Sequence, residues 1–320
     1  MAVPERSIRV GPAGWSYEDW NGIVYPSRRP RDFHEATYLA AYFDTIELNV
    51  TFYRPVPAHT AQQWIERVAA NPHFLFTAKL WQQFTHESEL TAANEREARP
   101  ALEVLREAGK LGAVLAQFPW SFKNTAENRA YVEKLAKHFR DFPLVVEVRH
   151  ASWNQREFYD WLAEHRVGFC NIDQPVIGRS LKPSQRAISQ SGIGYVRLHG
   201  RNYEEWFRPP DSGKREDASG GSPDSGSPDS GERYNYLYSI EELEPWAGRI
   251  QAVAESAPLT FVITNNHFHG KAVTNALQLI HLLTRQLVKV PPPLLEHYRE
   301  LEPIASGEGT TPSLFKSPRE

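Results

Sequence analysis

The feature that most narrows what this chain can fold into is a recurrence. Eight short apolar runs, rich in Val, Ile, Leu and Phe, are separated by gaps long enough for a helix. The runs are Ile8–Val10, Thr45–Asn49, Phe74–Lys79, Gly112–Gln117, Leu144–Arg149, Gly168–Asp173, Gly194–His199 and Leu259–Asn265. Runs of this kind are buried on both faces, as in parallel strands covered by helices. The gaps carry helical periodicity. Phe33, Ala36, Ala40 and Phe43 form one stripe, Leu243, Trp246, Ile250 and Val253 another, and Val273, Ala276, Leu277 and Ile280 a third. Thr60 and Gln63 read as a capping box opening the helix that holds Trp64 and Val68. Eight such units predict an α/β fold, a TIM-like (β/α)8 barrel. An open doubly wound sheet is the alternative. Gly11 and Gly14 are not spaced as a dinucleotide fingerprint, and no third glycine follows before the helix.

With 320 residues, 41% of them hydrophobic, the chain can fill the core of one such barrel, expected over residues 1–302. The stretch 209–231, "PPDSGKREDASGGSPDSGSPDSG", has almost no apolar residue to offset its ordering entropy. It reads as a disordered insertion after the seventh strand, on the strand C-terminal face. The tail, 303–320, reads as disordered too, and "PPPLLEHYRELEP" before it as a short helix outside the barrel. A net charge of -3 gives no general attraction to nucleic acid or an anionic membrane. The single cysteine, Cys170, excludes an internal disulfide and a cysteine zinc knuckle, and suits a reducing compartment. There is no signal-like start and no apolar stretch of bilayer length. A cytoplasmic location without membrane contact is the expectation.

Side chains two apart on a strand share a face. Glu47 pairs in this way with Asn49, Glu147 with Arg149, Asn171 with Asp173, and Arg197 with His199. Lys79, Gln117, Asn265 and Asn266 end the remaining runs. Cys170 falls opposite Asn171 and Asp173 and is expected to pack against helices. Acids and bases from the whole chain therefore converge on one mouth. They make either a self-satisfied plug, with Glu147 on Arg197 or Lys79, or a pocket; stability alone would be served by aliphatics, which favours the pocket. Trp15, Tyr17, Trp20, Tyr25 and Tyr53 could wall it. Trp20 is expected in the core, and Tyr17 and Tyr53 are the better ligand candidates. A helix starting near Gly270, with Lys271 beside it, suits an anion.

These residue types point to a hydrolase-type enzyme acting on a small polar or phosphate-bearing ligand. Glu47 or Glu147 would be the general base and His199 the acid. Lys79, Arg149, Arg197 and Lys271 would bind oxyanions, with Tyr17, Asn49, Tyr53, Gln117, Asp173, Asn265 and Asn266 completing the site. A divalent cation held by Glu47, Glu147 and Asp173 is the one cofactor considered. No tight metal site is assigned: His267 and His269, two apart, have no HExxH pattern or cysteine partner, even with His150, His199 and Asp173 as potential further ligands. Glycoside hydrolysis by Glu47 and Glu147 is an alternative that the dense positive charge disfavours. Non-catalytic binding of a nucleic-acid end or a small anion is another.

Eight segments resemble one family when read in order: "GPAGWSYEDWNGIVYP", "FDTIELNVTFYRPV", "FLFTAKL", "LGAVLAQFPWSF", "VVEVRHASW", "GYVRLHGR", "YNYLYSIEEL" and "TNNHFHGKAVTNALQL". They are similar to the YecE-like proteins, known as domain of unknown function 72, from about residue 8 to 285. The resemblance implies a TIM-like barrel and no particular reaction. It marks Tyr17, Glu47, Asn49, Tyr53, Lys79, Gln117, Glu147, Arg149, Arg197, His199, Asn265 and Asn266 as matching motif positions. The Gly-Ser-Pro-Asp insertion and the longer polar tail depart from the family pattern and leave those positions intact.

Overall fold

A computed structural model describes residues 7–203 and 234–307. Its eight strands are β1 (Ser7–Pro12), β2 (Thr45–Leu48), β3 (Leu75–Lys79), β4 (Leu111–Gln117), β5 (Leu144–Glu147), β6 (Gly168–Asp173), β7 (Ile193–Leu198) and β8 (Leu259–Thr264). Every one lies on an expected run, with ends that agree to within two residues. All neighbours are parallel, in the order β1-β8-β7-β6-β5-β4-β3-β2. The ring closes between β1 and β2 through a bridge from Ala13 to Glu47, where the Gly14 amide donates to the Glu47 carbonyl at 2.9 Å. Gly11 makes this seam possible: a Cβ there would lie 1.9 Å from the Thr45 carbonyl oxygen. The fold is a nearly closed, TIM-like (β/α)8 barrel.

Helices Ala58–Arg67, Ala92–Glu107, Ala126–His138, Arg156–Glu164, Ile240–Ser256 and Lys271–Thr284 cover the strands. The stripes Leu243, Trp246, Ile250, Val253 and Val273, Ala276, Leu277, Ile280 are buried as their periodicity requires. The stripe from Phe33 yields only the short helix Glu35–Leu39. Thr60 is not a cap. Its helix begins earlier, with Pro57 at the cap position and no side-chain cap bond. The capping box lies elsewhere, where Ser239 and Glu242 each bond the other's backbone amide.

One connection departs from the expected alternation. Between β6 and β7 the described chain has only a 3-10 turn, Ser189–Ser191. Its irregular loop still needs partners for its backbone groups, and buried Asn171 supplies several. The Asn171 Nδ2 donates to the Arg186 carbonyl at 2.7 Å, and its Oδ1 accepts from the Arg186 amide at 2.8 Å and the Ser184 hydroxyl at 2.7 Å. Regular structure continues past residue 302, through the 3-10 helix Arg299–Ile304 to a bridge between Val288 and Ala305. The insertion read over 209–231 and the tail from 308 lie outside the described residues. Among the described residues no helix is long and apolar enough to cross a membrane.

Candidate functional site

Alternation along the strands turns Glu47, Thr77, Lys79, Gln117, Glu147, Cys170, Tyr195 and Arg197 toward the barrel axis, and His199 and Asn265 continue it just past β7 and β8. Contacts between strands that are not sheet neighbours show this for Glu47, Thr77, Gln117, Glu147, Tyr195 and Arg197. Lower on the axis, Phe261 fills the space beside Gly112, where a Cβ would meet its ring at 2.2 Å.

Arg197 is the centre of an inner layer. Its Nη2 donates to Glu47 Oε1 at 2.6 Å, and its Nη1 to Glu147 Oε2 at 2.8 Å and Gln117 Oε1 at 3.3 Å. The Tyr195 hydroxyl donates to Glu47 Oε2 at 2.9 Å and meets Thr77 Oγ1 at 2.9 Å. Glu147 Oε1 accepts from Arg149 Nε at 3.0 Å and lies 3.0 Å from Arg149 Nη2 and 3.2 Å from His199 Nε2. The Asn265 amide donates to His199 Nδ1 at 3.0 Å, which puts the ring proton on Nε2, facing Glu147. All four oxygens of the two glutamates are therefore engaged. Glu47, Glu147, Arg197 and His199 are completely or almost completely buried, a state that charges tolerate only when paired and hydrogen-bonded. Of the two partners expected for Glu147, it takes Arg197.

The electrostatics follow from this pairing. Burial opposes the Arg197 charge, but Glu47 and Glu147 outweigh it and hold its pKa above the usual range. Burial pushes the Glu147 carboxyl up, while the charges of Arg197 and Arg149 and a hydrogen bond from His199 prevail and hold it well below the usual range. Burial lowers His199 to about 3, so its imidazole is neutral. Two carboxylates face two guanidiniums, and the layer is balanced.

Above it lie groups that keep an edge toward solvent. Lys79 is 8% exposed, Gln117 7% and Asn265 6%, and the Arg149 side chain is 14% exposed. The Lys79 Nζ sits 3.8 Å from the centroid of the Phe52 ring, on the helical turn Val50–Tyr53. That turn is fastened to β3 by the Thr51 hydroxyl, which donates to the Lys79 carbonyl at 2.6 Å. The ammonium has no hydrogen bond or ion pair with a described residue. Burial, then Arg197, lowers its pKa to about 7.

Other expected site residues stand apart from this axis. β6 has the opposite phase to that expected. Cys170 points inward, its Sγ 3.7 Å from Glu147 Oε2, and Asn171 and Asp173 point outward. Asp173 accepts from Arg201 Nε at 2.8 Å and Nη2 at 3.2 Å, and Arg201 also reaches Glu242 at 2.9 Å. Burial raises the Cys170 thiol, with Glu147 adding to the effect, so the inward sulfur is a poor nucleophile. Glu47, Glu147 and Asp173 accordingly do not fit a shared divalent cation: one acid faces away, and the oxygens of the others are already taken by donors.

Asn49 lies past β2 at the cap of the Val50–Tyr53 turn, with its Oδ1 buried and unpartnered among the described residues. Asn266 donates to the Tyr236 carbonyl at 2.8 Å and to Asn275 Oδ1 at 2.7 Å, tying the chain around Tyr236 to the helix after β8. The Lys271 ammonium donates to Asn235 Oδ1. Tyr17 stacks on His267, ring centroids 4.4 Å apart, and its hydroxyl donates to the Ala13 carbonyl at 2.7 Å. Tyr53 is exposed. Trp20 is core, as expected, and Tyr25 joins it there, donating to the Trp15 carbonyl at 2.6 Å. No group of three His, Cys, Asp or Glu suited to a metal occurs among the described residues. A cavity of about 630 Å³ opens outside the barrel beside Asn124, Trp153, Phe158 and Trp161, and no expected site residue lines it.

Tyr195, Thr77 and Arg201 were not singled out by sequence reasoning. Tyr195 had a usable signal, since it precedes Arg197 by two positions and shares its face.

Residues 9–297 match the family described as "Protein of unknown function DUF72". The UPF0759 protein YunF of Bacillus subtilis (strain 168) is 28% identical over 292 residues, which cover 86% of this chain and 94% of that protein. A solved DUF72 family protein from Thermotoga maritima MSB8 aligns with a TM-score of 0.70 at 30% identity, over 87% of this chain and 99% of the other. One from Enterococcus faecalis V583 aligns with a TM-score of 0.70 at 24% identity, over 86% and 95%, and supports the fold.

Proposed function

The chain belongs to the DUF72 family, and from that premise, which names no reaction, we propose that its barrel mouth is the active site of a hydrolase-type enzyme acting on a small polar anion, a phosphate ester fitting best. The observation that carries the reading is the charge balance. The inner layer, with Arg149 counted on Glu147, is already neutral, so a protonated Lys79 above it is surplus positive charge. An anionic substrate answers that surplus.

Arg149, held on Glu147 with an edge toward solvent, would orient an oxyanion by hydrogen bonding. Lys79, protonated beside the bound anion, would stabilise the oxyanion, and its pKa, lowered to about 7 in the free protein, suits donating a proton to the leaving group. Glu47 and Glu147, the bases expected from sequence, fit a different role. With their oxygens already accepting hydrogen bonds, they fix Arg197 and Arg149 in place. His199 points its proton at Glu147 and completes that frame. Gln117 and Asn265 would set substrate orientation. Glycoside chemistry needs one of two acids to hold a proton, and acids sharing one guanidinium are poorly suited to that.

The test is turnover of a panel of phosphate monoesters and diesters, together with calorimetry of inorganic phosphate binding. Expected are a kcat/KM that falls as pH rises through about 7, a kcat loss of about 100-fold in Lys79→Met, and a KM increase of about tenfold in Arg149→Gln. Absence of both phosphate binding and turnover across the panel would refute the reading.

A further inference from the structure

We infer that Lys79 is a carbonyl-capturing amine, whose Nζ condenses with a small aldehyde or ketone to form an imine within the barrel mouth. This goes beyond hydrolysis. Its preference for an anionic carbonyl compound rests on the proposed anion site, but the capture itself does not.

The argument begins with where the nitrogen sits. Buried lysines are rare unless paired, yet Lys79 is 8% exposed and its ammonium has no acceptor among the described residues. The reason is visible in the inner layer. Glu47 and Glu147 would be the natural partners, but Arg197, Arg149, Tyr195 and His199 occupy their oxygens. What remains against Nζ is the face of Phe52, which cannot hold a neutral amine's lone pair in a hydrogen bond. Other lysines are placed differently: Lys271 donates to Asn235, and Lys110 donates to the Pro72 carbonyl at 2.9 Å.

The groups acting on the nitrogen come from several elements: Glu47 on β2, Arg197 on β7, Glu147 on β5, and Arg149 just past it. His86, beyond the helical turn after β3, also feels the lysine charge. Their sum, dominated by burial, leaves a substantial amine fraction at neutral pH. The Nζ lone pair adds to the carbonyl carbon, and one Nζ proton is passed to the former carbonyl oxygen. The resulting carbinolamine takes a proton from solvent at that hydroxyl, the carbon–oxygen bond breaks, and water leaves. The product is a protonated imine in place of amine and carbonyl, with no oxidant or reductant consumed. Its positive charge lies above Glu47 and Glu147, and an anionic group on the captured molecule would face Arg149.

Reductive trapping tests this on the full chain. The protein is treated at pH 7 with a limiting amount of glyoxylate and cyanoborohydride, or in parallel with neutral glycolaldehyde, and lysine adducts are mapped by mass spectrometry. The expected result is labelling of Lys79 about tenfold above the exposed Lys134 and Lys137, because exposed lysines are almost wholly protonated at that pH. Glyoxylate should exceed glycolaldehyde at Lys79, and Arg149→Gln should lower the glyoxylate adduct alone. Equal labelling of Lys79 by both reagents would support capture while removing the anion site. Labelling of Lys79 no greater than that of Lys134 and Lys137 with either reagent would overturn the inference.

Discussion

The inner layer of the barrel and the mouth above it use the same residue types to opposite effect. Below, each charge has an opposite charge in contact: Glu47 and Glu147 on Arg197, and Arg149 on Glu147. Above, Lys79 is buried against Phe52 with no carboxylate in contact. The contrast separates the two readings of an ionic barrel end. A plug satisfies itself, and the inner layer does; a site leaves something for a guest to satisfy, and the mouth does.

The largest expected effect would break the inner layer. Arg197→Met leaves two buried glutamates without their shared cation, and about 3–5 kcal/mol of stability should be lost in denaturant unfolding. A loss below about 1 kcal/mol would mean that the glutamates are not held as a charged pair.

Lys79→Met should act in the other direction. The folded-state pKa of about 7 lies below the ordinary lysine value of 10.5, so between these values the unfolded chain binds more protons. Wild-type stability should therefore rise with pH across that window, and below it the buried ammonium carries its full penalty. A tenfold change in proton affinity corresponds to about 1.4 kcal/mol. The variant should be more stable than wild type at pH 6, by about 2 kcal/mol or more, and the gain should shrink toward pH 10. A variant less stable at pH 6 would show that the lysine is partnered after all.

A smaller effect lies on the acid side. His199 is lowered to about 3, so the unfolded chain takes up a proton that the folded chain refuses as pH falls below about 6.5. Stability should decline from there. Glu147 adds to the loss only at lower pH, because its stabilisation is complete above the unfolded carboxylate value and fades as pH falls toward its depressed one. His199→Gln should reduce the decline between pH 6.5 and 5 by about 1–2 kcal/mol, read as denaturation midpoints. Arg149→Gln takes one of two guanidiniums from buried Glu147 but leaves Arg197 on it, so it should cost about 1–2 kcal/mol, with loss of phosphate binding. A large stability loss without a binding change would leave Arg149 a part of the frame alone.

Much of this architecture was legible in the chain. The β-branched runs located all eight strands, and two-residue spacing put Glu147 on one face with Arg149 and Arg197 on one face with His199. The phase of β6 was not legible. Alternation says which residues share a face, not which face is inside, and a buried Asn171 serving a loop looks the same in sequence as one serving a ligand. The missing helix between β6 and β7 was hidden for the same reason, since the side chain that compensates for it lies in a strand. Above all, the isolation of Lys79 could not be read. It depends on which carboxylate oxygens other side chains claim first, and those side chains come from different strands and the turns after them.

The most direct measurement is a titration of the Lys79 Nζ by NMR in protein carrying 15N-lysine, with Lys79→Arg used to assign the signal. The account predicts a midpoint near 7, moving upward when inorganic phosphate is added. A midpoint close to the ordinary value of 10.5, indifferent to phosphate, would contradict it.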